Sequence, residues 1–175
     1  SPGKFWPRLL TFAVGLPAFY VLIFLLPHLH HLAFNLLAVA ASVLGGLELG
    51  RVLVARGLPF ARAGVWLGAL LPAAAYLELA GWLPAGSLWA ALLVLLMAAL
   101  AGTVCVRRKE QLDAVLSRLA NSLLLLLYPG LFLAFVVRLS GLPQASLALG
   151  FFFFLVFAND TLAYAGGMLA RGWSR

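Results

Sequence analysis

In FFFFLVFANDTLAYAGG, residues 151–167, a run of phenylalanines and aliphatics leads without a break into Asn159, Asp160 and Thr161 and then returns to small apolar residues. A carboxylate within a lipid-seeking segment costs about 2.5–3.5 kcal/mol to insert, so its neighbours must indicate what it does there. Asp160 could hold a divalent cation or orient a polar substrate. It could instead pair with another group and lock helices together. On a helix, positions i, i+4, i+7 and i+11 share a face, which lines up Asp160, Tyr164, Gly167 and Arg171. Beside that polar line, Ala163 with Gly167 and Gly166 with Ala170 form small-xxx-small pairs, the pattern that lets a second helix approach the backbone closely. Asn159, Asp160, Thr161, Tyr164 and Arg171 are therefore the candidate chemical residues, and Ala163, Gly166 and Gly167 the candidate packing residues.

Other polar residues point to structure more than to chemistry. Glu48 falls at the end of an apolar stretch, three residues before Arg51, a spacing suited to an interfacial ion pair. Glu78 lies near the opposite end of the next stretch. His28, His30 and His31 cluster in a turn with no carboxylate or thiol nearby in sequence, a poor match to a metal site. The single Cys105 reads as a small hydrophobe. Tyr128 and Pro129 mark a kink that would free backbone carbonyls. No Walker loop, GxSxG, dinucleotide fingerprint or HExxH occurs, so any chemistry must come from intramembrane polar groups and the loops beside them.

The elements that must position these residues follow from composition. Of 175 residues, 65% are hydrophobic and 10% charged, against roughly 45–50% and 25% in soluble domains. The chain is an all-α integral membrane protein, read here as a single transmembrane domain over residues 1–175. Six stretches suit membrane-crossing helices: Leu9 to Leu26, Leu32 to Leu49, Val65 to Leu83, Leu88 to Val106, Ser122 to Val137 and Ser146 to Ala170. The first is read as a retained span, not a cleaved signal. Between the fourth and fifth, RRKEQLDAVLSRLA reads as an amphipathic connector at the inner surface, with Leu112, Val115, Leu116 and Leu119 opposite its charges. Of the 12 lysines and arginines, all but Arg138 fall on one side if the N-terminus is inside. Such a bias predicts a polytopic bundle of about six helices with N-in, C-in topology, and explains the net charge of +7 without nucleic acid. It also sets Asp160 past the middle of the last span, toward the cytoplasm.

The segment FANDTLAYAGG resembles the aspartate-[Ser/Thr]-x-Ala-Tyr-x-x-Gly motif of the phosphatidate cytidylyltransferases, the CDP-diacylglycerol synthases, with Asp160, Thr161, Ala163, Tyr164 and Gly167 at the matching positions. Arg8, Glu48 and Tyr128–Gly130 agree in order, more weakly. Two positions depart: Leu162 stands where a small residue is common, and Met168 where a basic residue follows the motif glycine, Arg171 being the nearest cation. The family continues into a Ser-Pro-Lys-Lys-Thr-like segment and further spans, so the resemblance implies that these residues form the N-terminal part of a longer enzyme. It implies transfer of CMP from CTP to phosphatidate with release of pyrophosphate, and Mg²⁺ or another divalent cation held on Asp160. Asn159, Thr161, Tyr164 and Arg171 would then contact or orient the substrates. The expected setting is the bacterial inner membrane, and the expected partners are CTP, phosphatidate and the bilayer, with a second copy of the chain as a candidate. A CTP-dependent lipid kinase and a non-enzymatic transporter component or scaffold are the alternatives.

The topology has a direct check. In a Cys105→Ser background, a cysteine at Arg56 is expected to resist an impermeant external thiol reagent, while one at His30 is labelled; the reverse pattern would rule out the N-in arrangement.

Overall fold

The computed structural model describes residues 14–15, 17–59, 62–104 and 112–173, and among them every regular element is a helix. Lys4, Arg8, the start of the first expected span, Cys105, the Arg107–Lys109 cluster and Arg175 lie outside the described residues. The chain divides into two units, residues 28–141 and residues 1–27 with 142–175.

The unit over residues 28–141 contains α1 (His28–Ala55), α2 (Arg62–Leu79), α3 (Ser87–Val104), α4 (Leu112–Leu125), a π-helical turn (Leu126–Leu131) and α5 (Phe132–Leu139). Leu71, Ala75, Leu88, Leu126, Ala134 and Val137 form its core with Ala38 and Leu95. On α1 the buried residues include Ala38, Ser42, Gly46 and Gly50, one every fourth position, so a stripe of small side chains faces inward. A Cβ added at Gly46 would stand 2.9 Å from a Val65 methyl carbon of α2, which shows how closely these helices approach.

A close backbone contact joins α2 to the π turn, and each of the two elements carries a proline there. Pro72 inside α2 has no N–H for the carbonyl four residues earlier, that of Gly68. Pro129 inside the second element likewise has no N–H to donate, and the helix widens there into a π turn whose bonds span five residues. The Gly68 and Leu125 carbonyls each lie against the opposing helix. A Cβ built on Gly130 would come 2.6 Å from the Gly68 oxygen, and one built on Gly68 would come 3.0 Å from the Leu125 oxygen. Only two residues without side chains permit this approach, in which weak Cα–H···O contacts suit the two carbonyls. The kink expected at Tyr128–Pro129 therefore takes the form of a widened turn, in which the Phe132 N–H bonds the Leu127 carbonyl.

Polar clasps close both ends of this unit. At one end, Arg138 of α5 donates to Glu78 of α2 at 2.7 Å, and the other Glu78 oxygen accepts the Leu88 N–H at 3.0 Å. Glu78 thus neutralises a cation and caps the positive N-terminal end of α3. Nearby, buried Asn35 of α1 donates to the Ser140 hydroxyl at 3.0 Å and to the His30 carbonyl at 2.7 Å. Leu29, His30 and His31 adopt left-handed backbone angles, φ 51° to 57°, unusual without glycine and costing about 1–2 kcal/mol each. Asn35 supports that turn at His30, and the Tyr76 hydroxyl donates to the Leu29 carbonyl at 3.1 Å. At the other end, Asn121 donates to the Pro59 carbonyl at 2.9 Å, tying the loop after α1 to α4.

In the second unit, residues 17–20 are helical and run into a π turn, Val21–Leu25, while α6 (Ala145–Trp173) carries the FANDTLAYAGG segment. Phe19 stacks on Phe153 with ring centroids 4.5 Å apart, and Ser146 donates to the Ile23 carbonyl at 3.0 Å.

Among the described residues, three helices are long and apolar enough to cross a membrane: His28–Ala55, Val115–Leu139 and Ala145–Ala163. The other two long helices, α2 and α3, have 18 residues each and rise about 27 Å, slightly less than the hydrocarbon core. The amphipathic connector expected before Ser122 differs from the structure. Its residues from Leu112 onward are the first turns of α4, continuous with the apolar helix, because nothing between Val115 and Ser122 breaks helical hydrogen bonding. Likewise α1 runs past the expected end at Leu49, so Arg51 lies within the helix.

Two outcomes follow for stability. Gly130→Ala is expected to lower unfolding stability by about 2 kcal/mol, since backbone on the far side cannot yield, whereas Gly102→Ala, where a Cβ meets open space, is neutral or better. Glu78→Ala should cost about 2–3 kcal/mol through its charge-assisted hydrogen bonds, while Glu48→Ala costs much less. Thermal or denaturant unfolding in detergent measures both pairs.

Candidate functional site

Residues 145–173 form one uninterrupted helix, so the expected register holds along the backbone: positions 160, 164, 167 and 171 recur on one face of α6. Helicity here owes little to capping and much to the absence of proline and to a strongly apolar first half. Asn159, Asp160, Thr161, Leu162 and Ala163 are all exposed. The Thr161 hydroxyl donates to the Phe157 carbonyl at 2.8 Å, the usual way a threonine satisfies itself within a helix, and its oxygen retains acceptor capacity. The Asp160 carboxylate has no ion pair and no hydrogen bond among the described residues. Tyr164 and Arg171 lie on the helix, but their side chains lie outside the described set.

Gly166 and Gly167 are exposed, and a Cβ on either would meet nothing within 4 Å. The close helix contact expected at these glycines is absent among the described residues; the glycines that do bring backbones together are Gly46, Gly68 and Gly130. Glu48 is exposed and makes no ion pair with Arg51 among the described residues. The pairing expected there is found instead at Glu78 and Arg138, where the carboxylate side chain is 10% exposed.

The donor set limits what this segment can do alone. No group of three or more His, Cys, Asp or Glu side chains suited to a metal occurs among the described residues. Asp160 supplies one carboxylate, with the Asn159 amide and Thr161 hydroxyl as neutral oxygens beside it in sequence. Mg²⁺ is compatible with so sparse a set, because it keeps several waters and is commonly held by one or two carboxylates together with substrate phosphates. His30 and His31 lie in the left-handed turn at the start of α1.

Some residues that matter were not singled out from the sequence. Asn35 and Ser140 are 105 positions apart and meet in the interior. An asparagine within an apolar run was the available signal, since a buried amide needs partners. Ser42, 1% exposed, has a hydroxyl with no hydrogen-bond partner among the described residues.

The architecture and the polar segment thus define a helical integral membrane protein that presents a carboxylate from within an apolar helix. A family model described as the cytidylyltransferase family matches residues 6–172, nearly the whole sequence, and the chain belongs to that family. No curated protein and no solved structure matches it. Membership makes CTP the nucleotide substrate class and nucleotidyl transfer the reaction class, and the apolar helices place that chemistry in a lipid environment.

Proposed function

We propose that the protein transfers CMP from CTP to phosphatidate, giving CDP-diacylglycerol and pyrophosphate. A phosphate oxygen of phosphatidate attacks the α-phosphorus of CTP; that O–P bond forms as the bond to the bridging oxygen of the β-phosphate breaks, and pyrophosphate leaves. Phosphoryl chemistry of this kind rests on positioning and on neutralising charge, which divalent cations such as Mg²⁺ supply when bound. Asp160 is the residue to hold such a cation. Asn159 and Thr161 would orient its carboxylate or contact nucleotide oxygens, and Tyr164 and Arg171, on the same face, would contact the substrates.

The observation that carries this reading is the contrast between two carboxylates. Glu78 shows what a structural acid looks like in this protein: half-buried, ion-paired and bonded to a helix N-terminus. Asp160 is exposed on its helix and has no ion pair or hydrogen bond among the described residues. A lone carboxylate in an apolar segment is too costly to leave facing hydrocarbon, so its partner is expected to come from substrate, cation or a further part of the protein. The same contrast weighs against a scaffold role. The remaining assignments extend the reading: six spans with both termini inside, the helix of residues 17–25 and the 18-residue α2 and α3 completing the bundle, in a bacterial inner membrane with Asp160 toward the cytoplasm.

Asp160→Asn in the full-length protein keeps size and hydrogen bonding while removing charge. CTP-dependent formation of CDP-diacylglycerol per folded molecule, measured across a Mg²⁺ titration, is expected to fall by at least about 10²-fold, with expression unchanged because a neutral amide inserts more easily. Near-normal turnover with unchanged Mg²⁺ dependence would remove Asp160 from the site. Labelled phosphate appearing on a diacylglycerol acceptor would identify a lipid kinase instead.

A further inference from the structure

Within the unit formed by residues 1–27 and 142–175, the helix of residues 17–25 and α6 enclose a groove of about 570 Å³. Its volume falls in the range of about 300–1,000 Å³ typical of ligand pockets. Phe19, Ile23, Phe153 and Phe157 supply most of its wall, and Phe19 packs edge-on to Phe157 as well as against Phe153. Along α6 it extends from Gly150 to Thr161 and Leu162, about 16 Å at the rise of a helix. Thr161 is the polar residue of α6 on this wall, and it sits next to Asp160 in the family motif.

We infer that this groove holds one acyl chain of the lipid substrate, and that Gly150 and Phe24 set how long a chain it accepts. The inference rests on the proposed function for the identity of the lipid. Three observations choose the occupant. First, the wall is largely aromatic and aliphatic and offers almost no hydrogen-bond partners, which an extended peptide would need and a hydrocarbon chain does not. Second, the groove runs along α6 from Gly150 to Leu162, and it belongs to a protein whose apolar helices suit a lipid environment. Third, it is continuous with the polar segment: a chain whose ester end lies at Ala158 and Thr161 brings its phosphate to the level of Asp160 and leaves its methyl end near Gly150. With the C-terminus of α6 inside, that direction is the one taken by a lipid of the inner leaflet.

The far end is closed by a specific contact. A Cβ on Gly150 would stand 3.0 Å from the tip of the Phe24 ring, so the glycine leaves room for that ring to end the groove. Phe24 is itself held by stacking on Tyr20, with centroids 5.1 Å apart. A larger side chain at residue 150 shortens the space, and loss of the Phe24 ring lengthens it. The two substitutions therefore act in opposite directions, which a general loss of folding cannot imitate.

The test uses the full-length protein in mixed micelles, with CTP and dilauroyl, dipalmitoyl or distearoyl phosphatidate. Gly150→Leu is expected to lower kcat/KM for the distearoyl substrate relative to the dilauroyl by about tenfold or more, the scale on which hydrophobic pockets resolve methylene groups. Phe24→Ala is expected to raise the same ratio. Ala158→Phe, at the head end, should depress all three substrates alike. Thermal stabilisation of the protein by each phosphatidate without CTP gives a readout independent of turnover and should follow the same order. Unchanged chain-length profiles in both Gly150→Leu and Phe24→Ala overturn the groove assignment even if CMP transfer is robust. Absence of CMP transfer by the unaltered protein overturns the proposed reaction, while chain-length-dependent stabilisation that shifts in both variants still sustains the groove.

Discussion

The reciprocal approach of Gly68 and Gly130 governs how residues 28–141 pack. Each of two helices carries a proline, and one backbone carbonyl of each, that of Gly68 and that of Leu125, is set against the partner where a glycine leaves space. A proline inside a helix ordinarily costs about 3 kcal/mol, and in an apolar medium an unsatisfied carbonyl adds to that. Placing both defects at one contact lets each helix shelter the acceptor of the other. The small-residue stripe of α1 extends the same logic, since Gly45, packed toward Pro129, and Gly46, packed toward Val65, bring a third helix against the same two. Without bulk hydrophobic pressure between helices in lipid, this close packing of backbone is the attraction available.

Charge is handled separately from packing, and the two acidic residues Glu78 and Asp160 divide the work. The first is enclosed by a guanidinium and a helix N-terminus, an arrangement that leaves it no capacity for anything else. The second stays open on a helix whose first half is nearly all phenylalanine and aliphatic side chains. The family's nucleotide chemistry needs a group that can be reached, and in the proposed reaction accessibility is what Asp160 contributes.

Much of this organisation was legible in the sequence because hydropathy and helical periodicity are local. The apolar stretches, the proline at residue 129 and the motif around Asp160 all report on their own surroundings. What could not be read depends on pairs distant in the chain. Nothing near Glu78 names Arg138, nothing near Asn35 names Ser140, and a glycine at 68 announces its purpose only once residue 130 is opposite it. The same limit applies to Gly166 and Gly167, for which no partner helix is found among the described residues. A small-xxx-small pattern states that close approach is allowed, not that a partner is there. The amphipathic stretch before Ser122 failed differently: its periodicity was read correctly as helix, but periodicity does not show where one helix ends and the next begins.

The Glu78 clasp also implies an order of events during biogenesis. Leu88 follows Glu78 by 10 residues and Arg138 by 60. At ribosomal rates of about 5–20 residues per second, Arg138 appears roughly 3–12 seconds after Glu78. In that interval the nascent carboxylate has only the amide at the start of α3 for company. The helical hairpin of α2 and α3 thus enters the membrane with an acid already half-solvated by its own backbone, and the arginine arrives later as the counter-charge. The guanidinium then joins the apolar helices as half of a neutral pair, its receptor being in place before it is synthesised.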